Sequence, residues 1–394
     1  MRIAISAIGK FHMFDLARQM RLLGQDVEVF TGNPRSRVDK DLRDIACTYP
    51  WIRVIRAVGQ RFGFPESSKL LNLDMRTLGS WVANSIHPET TDILDGLDGP
   101  GPEAGRRMKE HGKVWVCNRG SAHILTQKAL LEEEHQKWNV QAPRFSPEHL
   151  ERCLAEYSEA DAVVVPSQFA KRSFIDHEIA PERVFVCPYG VDLSVFHRGP
   201  KNDDIFRVIF VGGISIRKGI GYLLEAIAPL ARRSQCEVWL IGGIEPAARS
   251  ILVHYSNVFE YKGVQPSTEL WRFYSQASVL VLPSIEEGLA LVQAQAMACG
   301  LPVIATTNTG AEDLFTDGVE GFIVGIRDAG AIREKIEWMI ANPVLRSEMG
   351  EAALARTTHI GGWTQYGERV LSVYCELMAR VAGQPSGPHS GPPQ

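Results

Sequence analysis

Residues 279–305 read VLVLPSIEEGLALVQAQAMACGLPVIA. An apolar, β-branched run from Val279 to Leu282 stops at Pro283-Ser284, and two carboxylates follow, Glu286 and Glu287. Gly288 frees the backbone ahead of Leu291–Cys299, which has the composition of a helix and is closed by Gly300. A second apolar run, Pro302 to Ala305, comes directly after. Strand, acidic loop, helix, strand is one parallel βαβ unit. Folds built from such units bind ligands outside the carboxyl ends of their strands, so the acidic corner is the first candidate site.

Working outward, the same alternation fills the chain. In the second half it predicts strands at Phe206–Val211, Glu237–Ile241, Val258–Tyr261 and Gly321–Val324. Helices are expected over 221–231, 268–275, 329–341 and 347–357. The first half opens with a strand, Arg2–Ile8, then Gly9-Lys10-Phe11-His12, a helix from Met13 to Leu23 closed by Gly24, and a strand, Asp26–Phe30. Further strands are expected at Trp51–Val58, Asp92–Leu97, Val114–Cys117, Ala162–Val165 and Val184–Cys187. The segment 61–83 mixes basic and apolar residues; it reads as a helix packed on the domain, with an acceptor-side or membrane contact as the alternative. No G-x-G-x-x-G follows the first strand, which removes the dinucleotide fingerprint and with it most of the case for hydride transfer. The architecture is therefore α/β, with two Rossmann-like halves, 1–190 and 191–357, a last helix ending at 382 and a Pro/Gly/Ser-rich disordered tail over 383–394.

A formal charge of −4 and a pI near 6.3 give no basic face for nucleic acid. The seven cysteines are scattered with no C-x-x-C, as in a reduced cytosolic protein, and cysteine ligation of a metal is not expected. No apolar window approaches the roughly 20 residues that span a bilayer. The chain is placed in the cytoplasm, with a peripheral contact at the inner membrane face left open by 61–83.

Two loops carry the chemistry. Arg217-Lys218-Gly219 lies between a strand and a helix, where fixed positive charge and free N–H groups suit a diphosphate. Glu287-Gly288-Leu289-Ala290-Leu291 feeds the next helix but one, and a carboxylate there can accept hydrogen bonds from sugar hydroxyls. Cations for phosphate and a carboxylate for a polyol together suit a nucleotide sugar.

With their flanks, these motifs resemble the family 4 glycosyltransferases, retaining enzymes of the GT-B fold. The resemblance is carried by PSQFAKRSFIDHEIAPERVFVCPYGVDLSVF, VGGISIRKGIGYLLEA and LPSIEEGLALVQAQAMACGLPVIATTNTGAEDLFTDGVEGFIV. It implies a donor-binding second half, an acceptor-binding first half and a final helix, 358–382, crossing back to complete the first. Lys218 would contact the donor diphosphate and Glu287 would hold the donor sugar, with Glu286 a bystander. Gly288 and the backbone of Leu289, Ala290 and Leu291 would meet sugar and phosphate, and Gly263 and Val264 would lie near the base. His123 would reach the donor sugar from the first half, and Gly9 would approach phosphate.

There are two departures. Gly213 stands where the family has an arginine, leaving Arg217 to reach the diphosphate by another route or to point to solvent. Gln295 stands where a second acid usually receives the ribose hydroxyls; its carbonyl can accept one such bond without charge, at a cost of roughly 1 kcal/mol. The function implied is retaining transfer of a sugar from a nucleoside-diphosphate sugar to a hydroxyl of a glycan, lipid-linked or small-molecule acceptor. It needs no cofactor and no metal, since Lys218 and Arg217 can neutralise the charge. Rival readings on the same fold are a nucleotide-sugar-binding protein without turnover, an epimerase and a phosphorylase.

Overall fold

A computed structural model describes residues 1–383 apart from 52–53, 56–57, 59–60, 62–67, 144 and 233–235. Two parallel sheets carry the chain. The first holds β1 (Arg2–Ala7), β2 (Asp26–Thr31), β3 (Ala46–Thr48), β4 (Ile93–Leu97), β5 (Val114–Asn118), β6 (Ala162–Val165) and β7 (Val184–Val186), in the order β3-β2-β1-β4-β5-β6-β7. The second holds β8 (Arg207–Val211), β9 (Glu237–Ile241), β10 (Glu260–Gly263), β11 (Val279–Leu282), β12 (Val303–Thr306) and β13 (Gly321–Val324), in the order β10-β9-β8-β11-β12-β13. In each sheet the order reverses at the first strand: β1 lies between β2 and β4, and β8 between β9 and β11. Such a reversal opens a crevice at the carboxyl ends of the strands. The pairing of β11 with β8 sets the loop after Val211 beside the loop after Leu282. That adjacency brings the two sequence motifs together.

Every residue of β4, β5, β6, β8, β11 and β12 is buried, as expected of parallel strands covered on both faces. Each fully buried Val, Leu or Ile side chain contributes about 1.5–3 kcal/mol. This explains why near-continuous apolar runs located these strands. The bounds of β6, β9 and β13 agree with the expected ones, and most others fall within two residues.

Three expectations need correction. In the stretch read as a strand from Trp51 to Val58, the described residues Trp51, Val54, Ile55 and Val58 are helical and exposed; the remainder lies outside the described residues. Their spacing of three, four and seven is the helical period, which the β-branched composition had masked. The strand expected at Val258–Tyr261 is shifted to Glu260–Gly263, and β3 was not expected. Of the segment 61–83, Ser68–Ser85 forms a helix, and 62–67 lie outside the described residues. So does the tail from 384 onward. Among the described residues no helix is long and apolar enough to cross a membrane.

The last helix, Trp363–Ala382, packs on the first-half helix Phe11–Leu22, burying Tyr366, Val370, Tyr374 and Leu377. The two approach closely at Gly367, where a Cβ would come within 2.5 Å of the Gln19 Cβ. The crossing is also tied by polar groups. Tyr374 donates its hydroxyl to Asp95 Oδ2 at 2.6 Å, and Asn118 Nδ2 donates to the same oxygen at 3.3 Å. The other oxygen, Oδ1, has no partner among the described residues. Burial therefore pushes the Asp95 carboxyl up to about 7 against those two hydrogen bonds.

A carboxyl whose folded value lies above its unfolded one stabilises the fold at low pH. That contribution fades as pH rises from the ordinary carboxylate range through about 7. Asp95→Asn, which cannot ionise, is thus expected to gain in Tm over the wild type at pH 8 and to gain much less at pH 5. Equal gains at both pH values, read by thermal melts, would refute the assignment.

Candidate active site

Between the carboxyl ends of the two sheets lies a cleft of about 550 Å³. The second half lines it with Lys218, Glu287, Leu289, Ala290, Leu291 and Val292. The first half faces them with Phe11, His12, Asp15, Asp98, Arg119 and Ser121, and the crossing helix adds Trp363.

The two motifs of the second half meet as ion pairs. Lys218 Nζ lies 2.5 Å from Glu287 Oε1, and Arg217 Nη1 lies 3.0 Å from the same oxygen. Ser215 Oγ accepts the Lys218 backbone N–H at 3.2 Å, which fixes the loop that presents the ammonium. The Arg217 side chain is 34% exposed and does not line the cleft. It turns back to the acidic loop, donating to the Glu286 carbonyl at 3.0 Å and lying 3.6 Å from the Glu286 carboxylate. Burial works against its charge, but Glu287 and Glu286 outweigh burial and raise the guanidinium above its ordinary value. Lys218 is thus the cation that faces the cleft from this half, and Arg217 braces Glu287 from behind.

Glu286, expected to be a bystander, is fully buried and joins the two halves. Its carboxylate accepts the Ala122 backbone N–H at 3.0 Å and the Gln127 side-chain amide at 2.8 Å. Gln127 in turn accepts from Arg119 Nη2 at 2.8 Å, and Arg119 Nη1 pairs with Asp98 at 2.5 Å. A continuous polar chain therefore runs Asp98–Arg119–Gln127–Glu286–Arg217–Glu287–Lys218 across the join. Buried charges held in this way are costly to break one at a time, because each loss strands a neighbour.

Gly288 is required for a different reason than expected. A Cβ there would lie 2.1 Å from the Gly120 carbonyl oxygen and 2.9 Å from Pro166. Its own carbonyl accepts from Ser167 Oγ at 2.6 Å. The close approach is to the other half of the chain. Gly263 (φ +72°) and the exposed Val264 sit at the end of β10, Val264 lying 3.9 Å from where a Cβ on Gly243 would be. They stand off the cleft wall.

Gln295 lies on the helix Leu291–Ala298, and its Oε1 accepts from the buried Tyr274 hydroxyl at 3.2 Å. The carbonyl expected to serve a ribose hydroxyl is already shared, and the free polar group is the amide NH2. Gly9 is buried and not on the wall; Phe11 and His12, in the first turn of the helix that follows, are.

His123 does not reach the cleft. It is buried at the start of the helix Ile124–Lys137, where Nδ1 accepts the Leu125 N–H at 3.3 Å. Its ring stacks on His177 at 4.2 Å and abuts Tyr157 and Phe174. Burial, with the charge of its neighbours, lowers it to about 3. It is a neutral helix cap. A histidine after a strand looks the same in sequence whether it caps or catalyses.

Phe11 and His12 fall in the stretch 9–12 that the sequence reading set beside the acceptor, whereas Asp15, Asp98, Arg119 and Ser121 escaped it. Arg119 and Ser121 stand in the NRGSAH loop whose histidine drew attention, and Asp98 follows β4. His12 is also committed. Asn118 is oriented by Asp95, so its Oδ1 accepts from His12 Nε2 at 2.7 Å, and Nδ1 accepts from the Tyr189 hydroxyl at 3.1 Å. Burial, opposed by Asn118 and Asp98, lowers His12 to about 4.

Two family models match successive stretches: Glycosyltransferase Family 4 over residues 10–195 and Glycosyl transferases group 1 over 195–356. The chain is a family 4 glycosyltransferase. This glycosyltransferase is 25% identical to a D-inositol 3-phosphate glycosyltransferase of Nocardiopsis dassonvillei, over 92% of this chain and 88% of that one. It is 24% identical to an MMP alpha-(1->4)-mannosyltransferase of Mycolicibacterium hassiacum, over 93% and 94% of the two. Among solved structures, a sucrose-phosphate synthase of Thermosynechococcus elongatus superposes with a TM-score of 0.76 at 19% identity, over 96% of this chain and 99% of that one. Anabaena HepE in complex with UDP-glucose superposes with a TM-score of 0.71 at 17% identity, over 95% and 100%. The likeness in structure establishes the GT-B fold.

Proposed function

We propose that this glycosyltransferase moves a sugar from a nucleoside-diphosphate sugar to an acceptor hydroxyl with retention of anomeric configuration. The acceptor is a glycan, a lipid-linked sugar or a small molecule. The observation that carries the reading is the Lys218–Glu287 pair, set in the cleft at the carboxyl ends of both sheets and opposite a wall from the first half. The donor lies along the second half, beside Lys218 and Glu287, and the acceptor along the first; a donor of this class is in keeping with the similar fold of HepE, solved in complex with UDP-glucose.

Lys218 stabilises charge developing on the leaving diphosphate, which is transition-state electrostatics. Glu287, held by Arg217 when Lys218 turns to phosphate, accepts hydrogen bonds from the sugar hydroxyls. With Lys218 facing the cleft to offset the diphosphate charge, the transfer needs no metal and no cofactor. The carboxylates on the cleft wall, Asp15, Asp98 and Glu287, are each ion-paired to a cation, which disfavours any of them as a nucleophile. Retention then follows from attack on the face the diphosphate leaves. The C1–O bond to phosphate breaks, the C1–O bond to the acceptor forms, and the acceptor proton passes to the departing phosphate oxygen.

UDP-, GDP-, ADP- and dTDP-sugars test this. One base class should raise Tm by mass action and give nucleoside diphosphate release that depends on an acceptor. Absence of binding to all four would defeat the reading. Binding with no release across acceptors would favour a nucleotide-sugar-binding protein.

A further inference from the structure

The first-half wall has a composition of its own. Phe11 holds a φ of +32°, which residues other than glycine seldom adopt, and it is 61% exposed and lines the cleft. Trp363, the first residue of the crossing helix, lines the same cleft from another element. Asp15 stands one helical turn beyond Phe11 and adds a carboxylate to that face.

The charges around Asp15 are spoken for, and they do not favour an anion. Arg18 lies 2.6 Å from Asp15, 3.0 Å from Asp39 and 2.5 Å from Asp41, while Lys10 lies 2.8 Å from Asp39. Three carboxylates thus share two cations, and of the five side chains only Asp15 lines the cleft. Arg119, the wall's own cation, is buried against Asp98. His12 is neutral, with both ring nitrogens engaged. Among the described residues of this wall no cation lacks an acidic partner.

We propose, on the reading above that the first half holds the acceptor, that this wall selects an uncharged pyranoside and rejects a phosphorylated one. The C–H face of the sugar packs on the rings of Phe11 and Trp363, and Asp15 accepts a hydrogen bond from one of its hydroxyls. Aromatic rings supply apolar area with little loss of side-chain freedom, and a carboxylate is a stronger acceptor for a hydroxyl than a neutral group. A phosphate placed there meets an acid with, among the described residues, no free cation to offset it, a repulsive element that discriminates as well as any added contact. The acceptor in the names of the inositol 3-phosphate relatives therefore does not carry over to this chain.

The test uses the full chain with whichever nucleotide sugar is turned over. Methyl α-glucopyranoside and methyl α-mannopyranoside are compared with glucose 6-phosphate, mannose 6-phosphate and myo-inositol 1-phosphate. The neutral glycosides should lead in kcat/KM by about 10-fold or more. Asp15→Asn should raise KM for them with a smaller change in kcat. Asp15→Lys should shift the ratio toward the phosphates by about 100-fold. Preference of the wild type for a phosphorylated acceptor, or an unchanged ratio in Asp15→Lys, would overturn the proposal. Saturation-transfer NMR of the same probes reads acceptor binding without turnover. Glycoside binding lost in Asp15→Asn supports the proposal even if no donor reacts, an outcome that would count only against the donor reading. Phosphate binding in place of glycoside binding would overturn it.

Discussion

Lys218→Ala is expected to lower kcat/KM for transfer by about 100- to 1000-fold, the cost of removing one preorganised donor to developing negative charge. The loss should fall mainly on kcat, because the ammonium matters most when the diphosphate departs. The fold should survive. Glu287 keeps Arg217 at 3.0 Å, so the buried carboxylate is not left without a cation. Lys218→Arg would restore charge but not position, since the Lys218 side chain is only 12% exposed and a longer, planar one must shift within the same space; partial recovery is the expected result. Activity within about 10-fold of wild type in Lys218→Ala, measured as nucleoside diphosphate release, would remove Lys218 from the transition state.

Gly288→Ala is the second large effect, and it separates two explanations of that glycine. Were Gly288 needed only for a ligand to approach, the protein without ligand would tolerate a methyl group. The methyl would lie 2.1 Å from the Gly120 carbonyl oxygen and 2.6 Å from its carbon, and these are backbone atoms that cannot rotate away. The two halves must then part at the point where Ser167 and Glu286 join them. Stability should fall by about 1–3 kcal/mol, as for overpacking elsewhere. Transfer should fall by about 100-fold, because Leu289–Leu291 and Glu287 move out of register with the opposite wall. Gly243→Ala, whose methyl would meet only Val264 at 3.9 Å, serves as the control and should melt like the wild type. A wild-type Tm and kcat/KM in Gly288→Ala would show that the halves do not meet there.

The fold was legible because parallel strands must be apolar along their whole length and their helices begin and end at recognisable residues. Val279–Leu282, Ala162–Val165 and the helix Trp363–Ala382 could each be placed from sequence. The helix around Trp51 could not, because β-branched residues outweighed a helical spacing that was present. β3 could not because three residues give no period to read.

The site divides in the same way. Lys218 and Glu287 each stand in a loop with its own local signature, and the pairing of β8 with β11 does the rest. Glu286 looked idle because Ala122 and Gln127 lie 164 and 159 residues away. Asp98 and Arg119 meet only through the exits of β4 and β5, and nothing local marks the pair. His123 failed in the opposite direction: the sequence shows an imidazole after a strand, but the use made of its nitrogen depends on the Leu125 N–H.

The central claim is that a donor sugar held by Glu287 and released from phosphate beside Lys218 is attacked on the face it leaves. The anomeric configuration of the new glycosidic linkage, read by NMR from its one-bond C1–H1 coupling, tests it directly. A product with the configuration of the donor is predicted; an inverted product would contradict the account.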